Sequence, residues 1–498
     1  MCKNLISEHI FLFPFAWEIK EQSKGYLFKQ HKQINQGLFD RLEGWENEYL
    51  DIQTDSDYNE FVYFYKPVRA ALYTKGDAPV LVLNYKSKLL KQSGEMILEV
   101  GEDRYILEVV RLSLKIYKSG VGILSINIKN NQYKSPEDII NINSFSKSIY
   151  PSVLPIEKSW QDIYPKYVQI KLDESYSIDD HFDKDYKKMP GRITDVIMYV
   201  LGSSFTCDRE ELVENKILIE PVIGSHMITL CLYQNNKMVK DIMTERIDKG
   251  FLHTFMLLSK KERHIGKVDY LNTPYRIYGI SMFALICISA KNIESKVYDQ
   301  LVSLILVQKA SLLNFSSQIA TISTLPKNEL VPAIQSVYEI YIQFINQMYF
   351  DEITEDIQGS MIYKMFMNQL NIKEELKQLD FEMKEVHEYA ELVDQTQSRI
   401  RMDGLTIIGA SLVVPTFVTG FFGMNIMEDK FTSWWEHREI ALWFNSYVAL
   451  PILLILSIWI WNRNRGKDNR LIKLVLMVAI VINILIIFLY GCGLDSLV

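Results

Sequence analysis

The chain has 498 residues, enough for a large soluble domain together with a membrane region. Its formal net charge of −7 argues against a general nucleic-acid binder, so we expect no nucleic-acid partner. The five cysteines are odd in number, scattered and never spaced as CxxC, which predicts neither a disulfide framework nor a zinc knuckle.

Residues 1–290 have the pattern of a cytoplasmic α/β domain. Strands are predicted at residues 10–15, 80–85, 112–116, 124–128, 217–221 and 227–233. Two alternating segments flank Ser119, Gly120, Val121 and Gly122, which predicts a β-hairpin whose turn lies at those four residues. The apolar run 279–288 is too short to cross a membrane and predicts a buried strand or helix.

From residue 291 the predicted elements are helices, and residues 291–402 form a predicted helical stalk. Helices are expected at 296–323, 328–350, 352–370 and from 372 onward. The last of these carries an apolar stripe with steps of three and four, typical of helices packed side by side: Leu376, Leu379, Met383, Val386, Ala390, Val393, Gln397 and Ile400. No proline or glycine interrupts it before Gly404, so one helix over 372–422 would be roughly 75 Å long at 1.5 Å per residue.

Three apolar segments near the end of the chain predict membrane-spanning helices. The predicted boundaries are 403–424 for the first span, 425–440 for an outer loop, 441–461 for the second span, 462–470 for a basic cytoplasmic loop and 471–490 for the third span. Each span has about twenty residues, the length that a helix needs to cross the hydrocarbon core. The alternative is a buried core helix, but residues 405–422 contain no charged residue, which is rare in soluble domains.

The basic residues predict the orientation of these spans. Arg463, Arg465 and Lys467 lie between the second and third spans, and Arg399 and Arg401 precede the first. The positive-inside rule places both groups in the cytoplasm. We therefore expect a multi-pass protein of the plasma (inner) membrane with a cytoplasmic N-terminus and an outer C-terminus.

Gly423, Met424 and Asn425 follow the first apolar segment at its predicted outer end. Mg²⁺ releases its water reluctantly and requires octahedral oxygen coordination, so a pore can instead offer neutral oxygens to the hydrated ion. The side-chain amide of Asn425 has such an oxygen, and several copies around an axis would form a ring of acceptors. The metal-contacting residue is therefore predicted to be Asn425, with a role in a helix C-terminal turn as the alternative.

This region resembles the pore helix of CorA-type divalent metal transporters, which carry a GMN motif. The resemblance covers residues 372–461 and rests on Leu-Thr-Ile-Ile at 405–408, Pro-Thr-Phe at 415–417, Gly420 and the Gly-Met-Asn triplet at 423–425. It implies a funnel-shaped homopentamer in which five first spans line a channel and the second spans lie outside them. It also implies a selectivity filter formed by Gly423, Met424 and Asn425.

Further pore residues follow from the resemblance and from helix periodicity. Thr416 and Gly420 match pore-lining positions of the family, while Met402 and Leu405 match its apolar gate. Steps of three and four place Gly409 and Leu412 or Val413 on the same helix face. That face is mostly apolar, and helix packing is the alternative explanation for it.

The outer loop departs from the family, which commonly continues with Met-Pro-Glu-Leu, whereas this chain has Ile-Met-Glu-Asp-Lys at 426–430. Four acidic and two basic residues give the loop a charge of −2, or about −10 in five copies, which would attract cations. Glu428 and Asp429 are the candidates for this attraction, and a solvated turn is the alternative. The predicted third span is a second departure from the family.

These observations predict a channel for hydrated divalent cations that is gated by the cytoplasmic domain. Mg²⁺ is the first candidate ion, and Co²⁺, Ni²⁺ and Zn²⁺ are further candidates. The expected partners are divalent ions, the lipid bilayer and further copies of the chain. We expect no cofactor other than the transported or regulatory cation. The resemblance implies that carboxylates of the cytoplasmic domain sense this cation. The chain has no HExxH, Gly-x-Ser-x-Gly or P-loop motif and is not expected to be an enzyme. The alternative is a membrane-anchored sensor or scaffold that keeps the CorA-like fold without transport.

Overall fold

The computed structural model describes residues 5–19, 42–74, 79–85, 94–149, 164–172, 177–182, 193–213, 216–224, 226–257, 267–291, 293–422, 442–463 and 470–492. The chain forms two compact units, Met1–Glu388 and Tyr389–Val498.

A large mixed sheet dominates the first unit. Its strands among the described residues are β1 Ser7–Ile19, β2 Trp45–Asn47, β3 Val80–Tyr85, β4 Gly94–Val100, β5 Asp103–Tyr117, β6 Val121–Asn130, β7 Tyr167–Lys171, β8 Ser177–His181, β9 Phe205–Thr206, β10 Ile217–Pro221, β11 Ile228–Gln234, β12 Asp269–Thr273, β13 Arg276–Ile280 and β14 Ala284–Ser289. The main order is β12-β13-β14-β11-β1-β6-β5-β4-β7-β8, while β10 joins β1 to β9 and β3 joins β5 to β2. The β11–β14 and β9–β10 pairs are parallel and the other pairs are antiparallel.

Strand β1 lies at the centre of this sheet and is buried on both faces. Phe11, Phe13 and Phe15 belong to the larger hydrophobic core on one face. Ile10 and Leu12, on the other face, are also almost fully buried. A strand covered on both faces has a near-continuous apolar sequence, which explains the run that predicted it.

The helices of the first unit follow or connect these strands. They are α1 Asp55–Tyr63, α2 Lys66–Tyr73, α3 Pro136–Ser146, α4 Asp195–Leu201, α5 Asn236–Met243, α6 Lys249–Leu257, α7 Ser295–Ile322, α8 Lys327–Met348, α9 Ile357–Gln369 and the beginning of α10 Ile372–Phe422. Helix α7 is buried along most of its length and begins beside β1, where the Ser295 hydroxyl donates a hydrogen bond to Glu8 Oε1 at 2.7 Å.

The prediction of an α/β domain followed by helices is confirmed, with local corrections to a hairpin turn, to an apolar run and to the start of one helix. The hairpin turn contains only the three residues between Tyr117 and Val121, which pair directly, so Gly122 lies in strand β6 and not in the turn. Gly120 supplies the left-handed backbone of that turn, with φ of 80°. The run 279–288 forms parts of two strands, β13 and β14.

The helix predicted at 352–370 begins five residues later than expected, at Ile357. Asp356 caps it by accepting a hydrogen bond from the backbone N–H of Gly359 at 2.6 Å. The preceding residues are held by tertiary contacts, because Tyr65 N–H donates to Ile353 O and the Thr354 hydroxyl donates to Tyr63 O. These tertiary hydrogen bonds replace the backbone hydrogen bonds that a helix would form at Ile353 and Thr354. The sequence pattern does not reveal such long-range bonds.

The described part of the second unit consists of helices. Helix α10, with 51 residues, continues into it and ends at Phe422. A π-helical segment at Asn445–Ala449 leads directly into α11 Leu450–Arg463, and α12 Arg470–Cys492 follows. Among the described residues, one helix, within Ile372–Phe417, is long and apolar enough to cross a membrane, and Leu442–Ile455 and Val475–Leu489 are shorter apolar helices. Only 18% of the apolar window of the long helix is buried, whereas a core helix of a soluble domain is mostly buried.

Candidate ion pathway

The predicted filter residues Gly423, Met424 and Asn425, and the loop residues Glu428 and Asp429, lie outside the described residues. The predicted pore and gate residues, from Met402 to Gly420, lie in the second half of α10. The structure therefore describes the approach to the predicted filter.

The predicted pore and gate residues lie on a face of α10 that the rest of the chain does not cover. The exposed fractions are 66% for Met402, 69% for Leu405 and 64% for Val413. Gly409, Leu412, Thr416 and Gly420 are exposed as well. A Cβ atom added to Gly409 or Gly420 would meet no heavy atom of the described chain within 4 Å. Described residues of the chain therefore do not pack against this face.

The covered face of the same helix lies on the other side. Gly404, Ser411 and Pro415 are buried, and their steps of seven and four place them on one face. An α-helix turns by about 100° per residue, so the centre of the predicted pore face lies about 130° from the centre of the buried face. A narrow stripe of this segment is thus covered within the described chain, and most of its other positions, including the predicted pore face, are exposed.

Thr416 brings a free hydroxyl group to the open face. The hydroxyls of Thr406 and Thr419 each donate to a backbone carbonyl one turn earlier, Met402 O and Pro415 O, both at 2.9 Å. Among the described residues, no hydrogen bond is recorded for the hydroxyl of Thr416. It remains available to bind water, as a residue lining an aqueous path would.

The third apolar helix is attached to the second by a buried amide pair that the sequence analysis did not predict. Asn483 Nδ2 donates to Asn445 Oδ1 at 3.0 Å, and both side chains are less than 10% exposed. Asn445 is the first residue of the π-helical segment, a feature often found at functional sites. Isolated asparagines in two apolar segments were the available signal, but sequence alone does not show that they meet.

The resemblance implies that cytoplasmic carboxylates sense the cation, and three carboxylates near the start of α10 form ion pairs within the chain. Glu374 pairs with Lys377 at 2.8 Å, Asp380 pairs with Lys384 at 2.7 Å, and Glu375 pairs with Lys309 of α7. Within the described residues, no group of three or more His, Cys, Asp or Glu side chains could hold a metal ion.

One other cluster has the chemical parts of a nucleophile and its base. The Ser7 hydroxyl donates to His9 Nε2 at 2.8 Å, His9 Nδ1 donates to Asn143 Oδ1 at 2.6 Å, and Asn130 Nδ2 donates to Ser7 Oγ at 2.9 Å. All four residues are 0% exposed, so no substrate could reach the hydroxyl. Burial lowers the pKa of His9 to about 4, although its hydrogen bond to Asn143 opposes the shift. We interpret the cluster as a hydrogen-bonded part of the core.

Comparisons with protein-family models, curated proteins and solved structures found no match to this chain. The likeness to CorA-type transporters therefore rests on the residues described above.

Proposed function

We propose that the protein is a channel for hydrated divalent cations, with Mg²⁺ as the first candidate and Co²⁺, Ni²⁺ and Zn²⁺ as further ones. In this proposal five copies surround a pore lined by α10, with Gly423, Met424 and Asn425 as the filter, Met402 and Leu405 as an apolar gate, and Glu428 and Asp429 attracting cations outside. The cytoplasmic unit gates the pore, and α10 transmits its state.

The exposure of the predicted pore residues of α10, away from its narrow covered stripe, is the observation that carries the proposal. A helix that lines a pore between copies needs one face packed within its own subunit and one face left free. The predicted pore residues lie on the free face, opposite Gly404, Ser411 and Pro415.

An open face could also contact lipid, and its composition favours a pore. Besides the apolar Met402, Leu405, Leu412 and Val413, the open face of α10 carries the hydroxyl of Thr416 and two glycines, Gly409 and Gly420. The exposed positions of α12 between Val475 and Phe488 are all large apolar residues, as a lipid-facing surface requires. The two helices therefore suit different surroundings.

The Asn445–Asn483 hydrogen bond supports the proposed three-span arrangement. Asn445 lies near the start of the second predicted span and Asn483 near the end of the third. Their contact suits an antiparallel pair, which would return the C-terminus to the side of the outer loop. That side is outside in the proposed topology.

Passive flux needs no chemical energy source. The membrane potential contributes about 4.6 kcal/mol per 100 mV to the entry of a doubly charged ion, from ~2.3 kcal/mol per elementary charge. A ring of neutral Asn425 amides would accept the ion with its water, which avoids the cost of dehydration.

The proposal is tested in proteoliposomes that contain a Mg²⁺-sensitive dye. Wild-type protein should give saturable Mg²⁺ entry, and Asn425→Ala should abolish it while the oligomer mass stays that of five copies. Asn368→Ala is the matched control, because Asn368 is exposed on α9 in the first unit and should leave entry unchanged. Wild-type liposomes that stay silent would favour the non-transporting sensor or scaffold, and full entry through Asn425→Ala would exclude the filter assignment.

A further inference from the structure

A buried polar cluster lies where α7 packs on the sheet. Lys115 Nζ of β5 donates to Ser303 Oγ of α7 at 2.7 Å, and the same nitrogen lies 3.5 Å from Asp299 Oδ2. The Ser125 hydroxyl of β6 donates to Asp299 Oδ1 at 3.5 Å. Each of the four residues is less than 10% exposed. The cluster therefore joins two strands to one helix in the interior of the first unit.

Apolar residues surround this cluster on the sheet. Ile123 lies opposite Lys115 in the β5–β6 pair, and Leu12 lies opposite Ser125 in the β1–β6 pair. Directly opposed residues share a face of the sheet, so both apolar side chains lie beside the cluster. A helix normally packs on such a face through its own apolar side chains. A lysine and an aspartate at this contact therefore require a separate explanation.

The ion pair is not a source of stability at neutral pH. Burial lowers the pKa of Lys115, Asp299 opposes this shift, and Arg111 adds to it. The carboxylates that act on Arg111 from outside the pair are Glu48, at 2.6 Å, and Glu60 of α1. A lowered lysine pKa means that the folded chain holds the charged ammonium less favourably than water does. Apolar residues often replace such a pair without loss of stability, so its presence points to another role.

The cluster distinguishes one position of α7 along the sheet from the neighbouring positions. A slip of one turn moves a helix by about 5.4 Å and brings a residue three or four positions away to the place of Asp299. None of the residues at those four positions is a carboxylate: Ser295, Lys296, Val302 and Ser303. Each slip would leave the buried ammonium of Lys115 without its counter-charge, which is strongly unfavourable. Apolar residues of α7 do not discriminate in this way, since Leu301 and Ile305 have similar size and can exchange places.

Two further contacts relate this register to neighbouring elements. The hydroxyl oxygens of Ser119, in the turn before β6, and Ser311, on α7, lie 2.7 Å apart. Lys309 of α7 forms an ion pair with Glu375 near the start of α10, and these side chains are 14% and 30% exposed. Both contacts lie within the first unit. The start of α10 is thus attached to the helix whose register the buried cluster selects.

We propose that the Lys115–Asp299 ion pair fixes the register of α7 on the sheet, and that the Lys309–Glu375 ion pair passes this register to the start of α10. Coupling between distant parts of a protein passes through contiguous contacts of this kind. The position of α10 then depends on the sheet, as control of a pore helix by the first unit requires. The role in gating rests on the proposed channel function, whereas the register is a property of the first unit and is measured without ion flux.

The test is disulfide formation between introduced cysteines in the full chain in detergent micelles, identified by peptide mass spectrometry. Ser119→Cys/Ser311→Cys reports the observed register, because the two hydroxyl oxygens are in contact. Ser119→Cys/Val307→Cys reports a slip of one turn. With Lys115 and Asp299 in place, only the first disulfide should form. In Lys115→Met/Asp299→Leu the two registers become similar in energy, so the yield of the first should fall about twofold and the second should appear.

Leu301→Met is the matched control, because Leu301 is a fully buried residue of α7 outside the polar cluster. It should leave both disulfide yields unchanged. Thermal unfolding shows whether each variant is folded, and the midpoint of Lys115→Met/Asp299→Leu should not fall below that of wild type. A folded double variant that forms the first disulfide at the wild-type yield and lacks the second would overturn the proposal.

A second variant decides the test if Lys115→Met/Asp299→Leu does not fold. Ser295→Asp/Asp299→Ser moves the carboxylate by one turn along α7, so it should transfer the disulfide partner of position 119 from position 311 to position 307. Retention of the 119–311 disulfide alone in this variant would overturn the proposal. Liposomes that stay silent to Mg²⁺ would contradict the channel function and leave these disulfide results unaffected.

Discussion

The hydroxyl of Thr416 distinguishes a water-lined face of α10 from a lipid-facing one. Thr416→Val keeps the shape of the side chain and removes its only polar group. If the hydroxyl contacts hydrated ions, Mg²⁺ entry should fall about fivefold, since a hydrogen bond contributes roughly 1 kcal/mol. The measurement is the initial rate of dye response in proteoliposomes.

Thr419→Val is the control for this substitution, because the Thr419 hydroxyl already donates to Pro415 O at 2.9 Å. Its flux should stay within about twofold of wild type. Equal losses in the two variants would indicate a general effect on the helix, and no loss in Thr416→Val would remove Thr416 from the pathway.

His9 makes the first unit sensitive to acid. Burial lowers its pKa to about 4, whereas a histidine in an unfolded chain has a pKa near 6.5. Between these values the unfolded chain binds a proton that the folded chain does not, so stability decreases as the pH falls through this window. The expected loss from pH 7 to pH 5 is about 2 kcal/mol for this residue.

The acid effect is measured as the unfolding midpoint of the first unit at the two pH values. His9→Gln should reduce the difference without abolishing it, because burial, with a smaller contribution from Lys147, also lowers the pKa of His226 to about 4. The matched control is His181→Gln, because the side chain of His181 is 63% exposed. This substitution should leave the difference between the two midpoints unchanged. An acid-induced shift of equal size in His9→Gln would contradict the assignment.

At the scale of elements, α11 and α12 depend on the pair formed by Asn445 and Asn483. Asn483→Leu would remove the donor of the 3.0 Å bond and leave Asn445 Oδ1 without it. Hydrogen bonds between apolar helices contribute about 0.6–1.7 kcal/mol, so the unfolding midpoint should fall. The double variant Asn445→Leu/Asn483→Leu should recover part of the loss, since it leaves no buried amide without its partner.

The double-mutant cycle measures this coupling, and Val481→Leu is a control at an exposed position of α12. Strictly additive effects of the two asparagine substitutions would mean that the hydrogen bond does not couple the helices.

The elements also show which patterns predict structure well. The predicted strand 80–85 and strand 217–221 match β3 and β10, because alternation or a short apolar run between turns is a local signal. The start of α9 was predicted too early, since contacts from Tyr63 and Tyr65 hold the preceding residues extended. A contact between residues nearly three hundred positions apart leaves no local pattern.

For the whole molecule, the chain combines a mixed-sheet unit with a helical unit that contains a helix able to cross a membrane. Assembly into a pentamer, the three-span topology and control of the pore by the first unit are proposals that rest on α10. This helix is continuous from Ile372 to Phe422 and contributes residues to both units.

The sequence alone determined that an α/β region precedes a helical one, and it supplied the filter residues, which stay a prediction. Periodicity, hydropathy and the Gly-Met-Asn triplet are local properties of consecutive residues, so they can be identified without knowledge of the tertiary structure. The tertiary structure decided which stripe of α10 is covered and that Asn445 meets Asn483. Each of these facts joins residues far apart in the chain, and only packing brings such residues together.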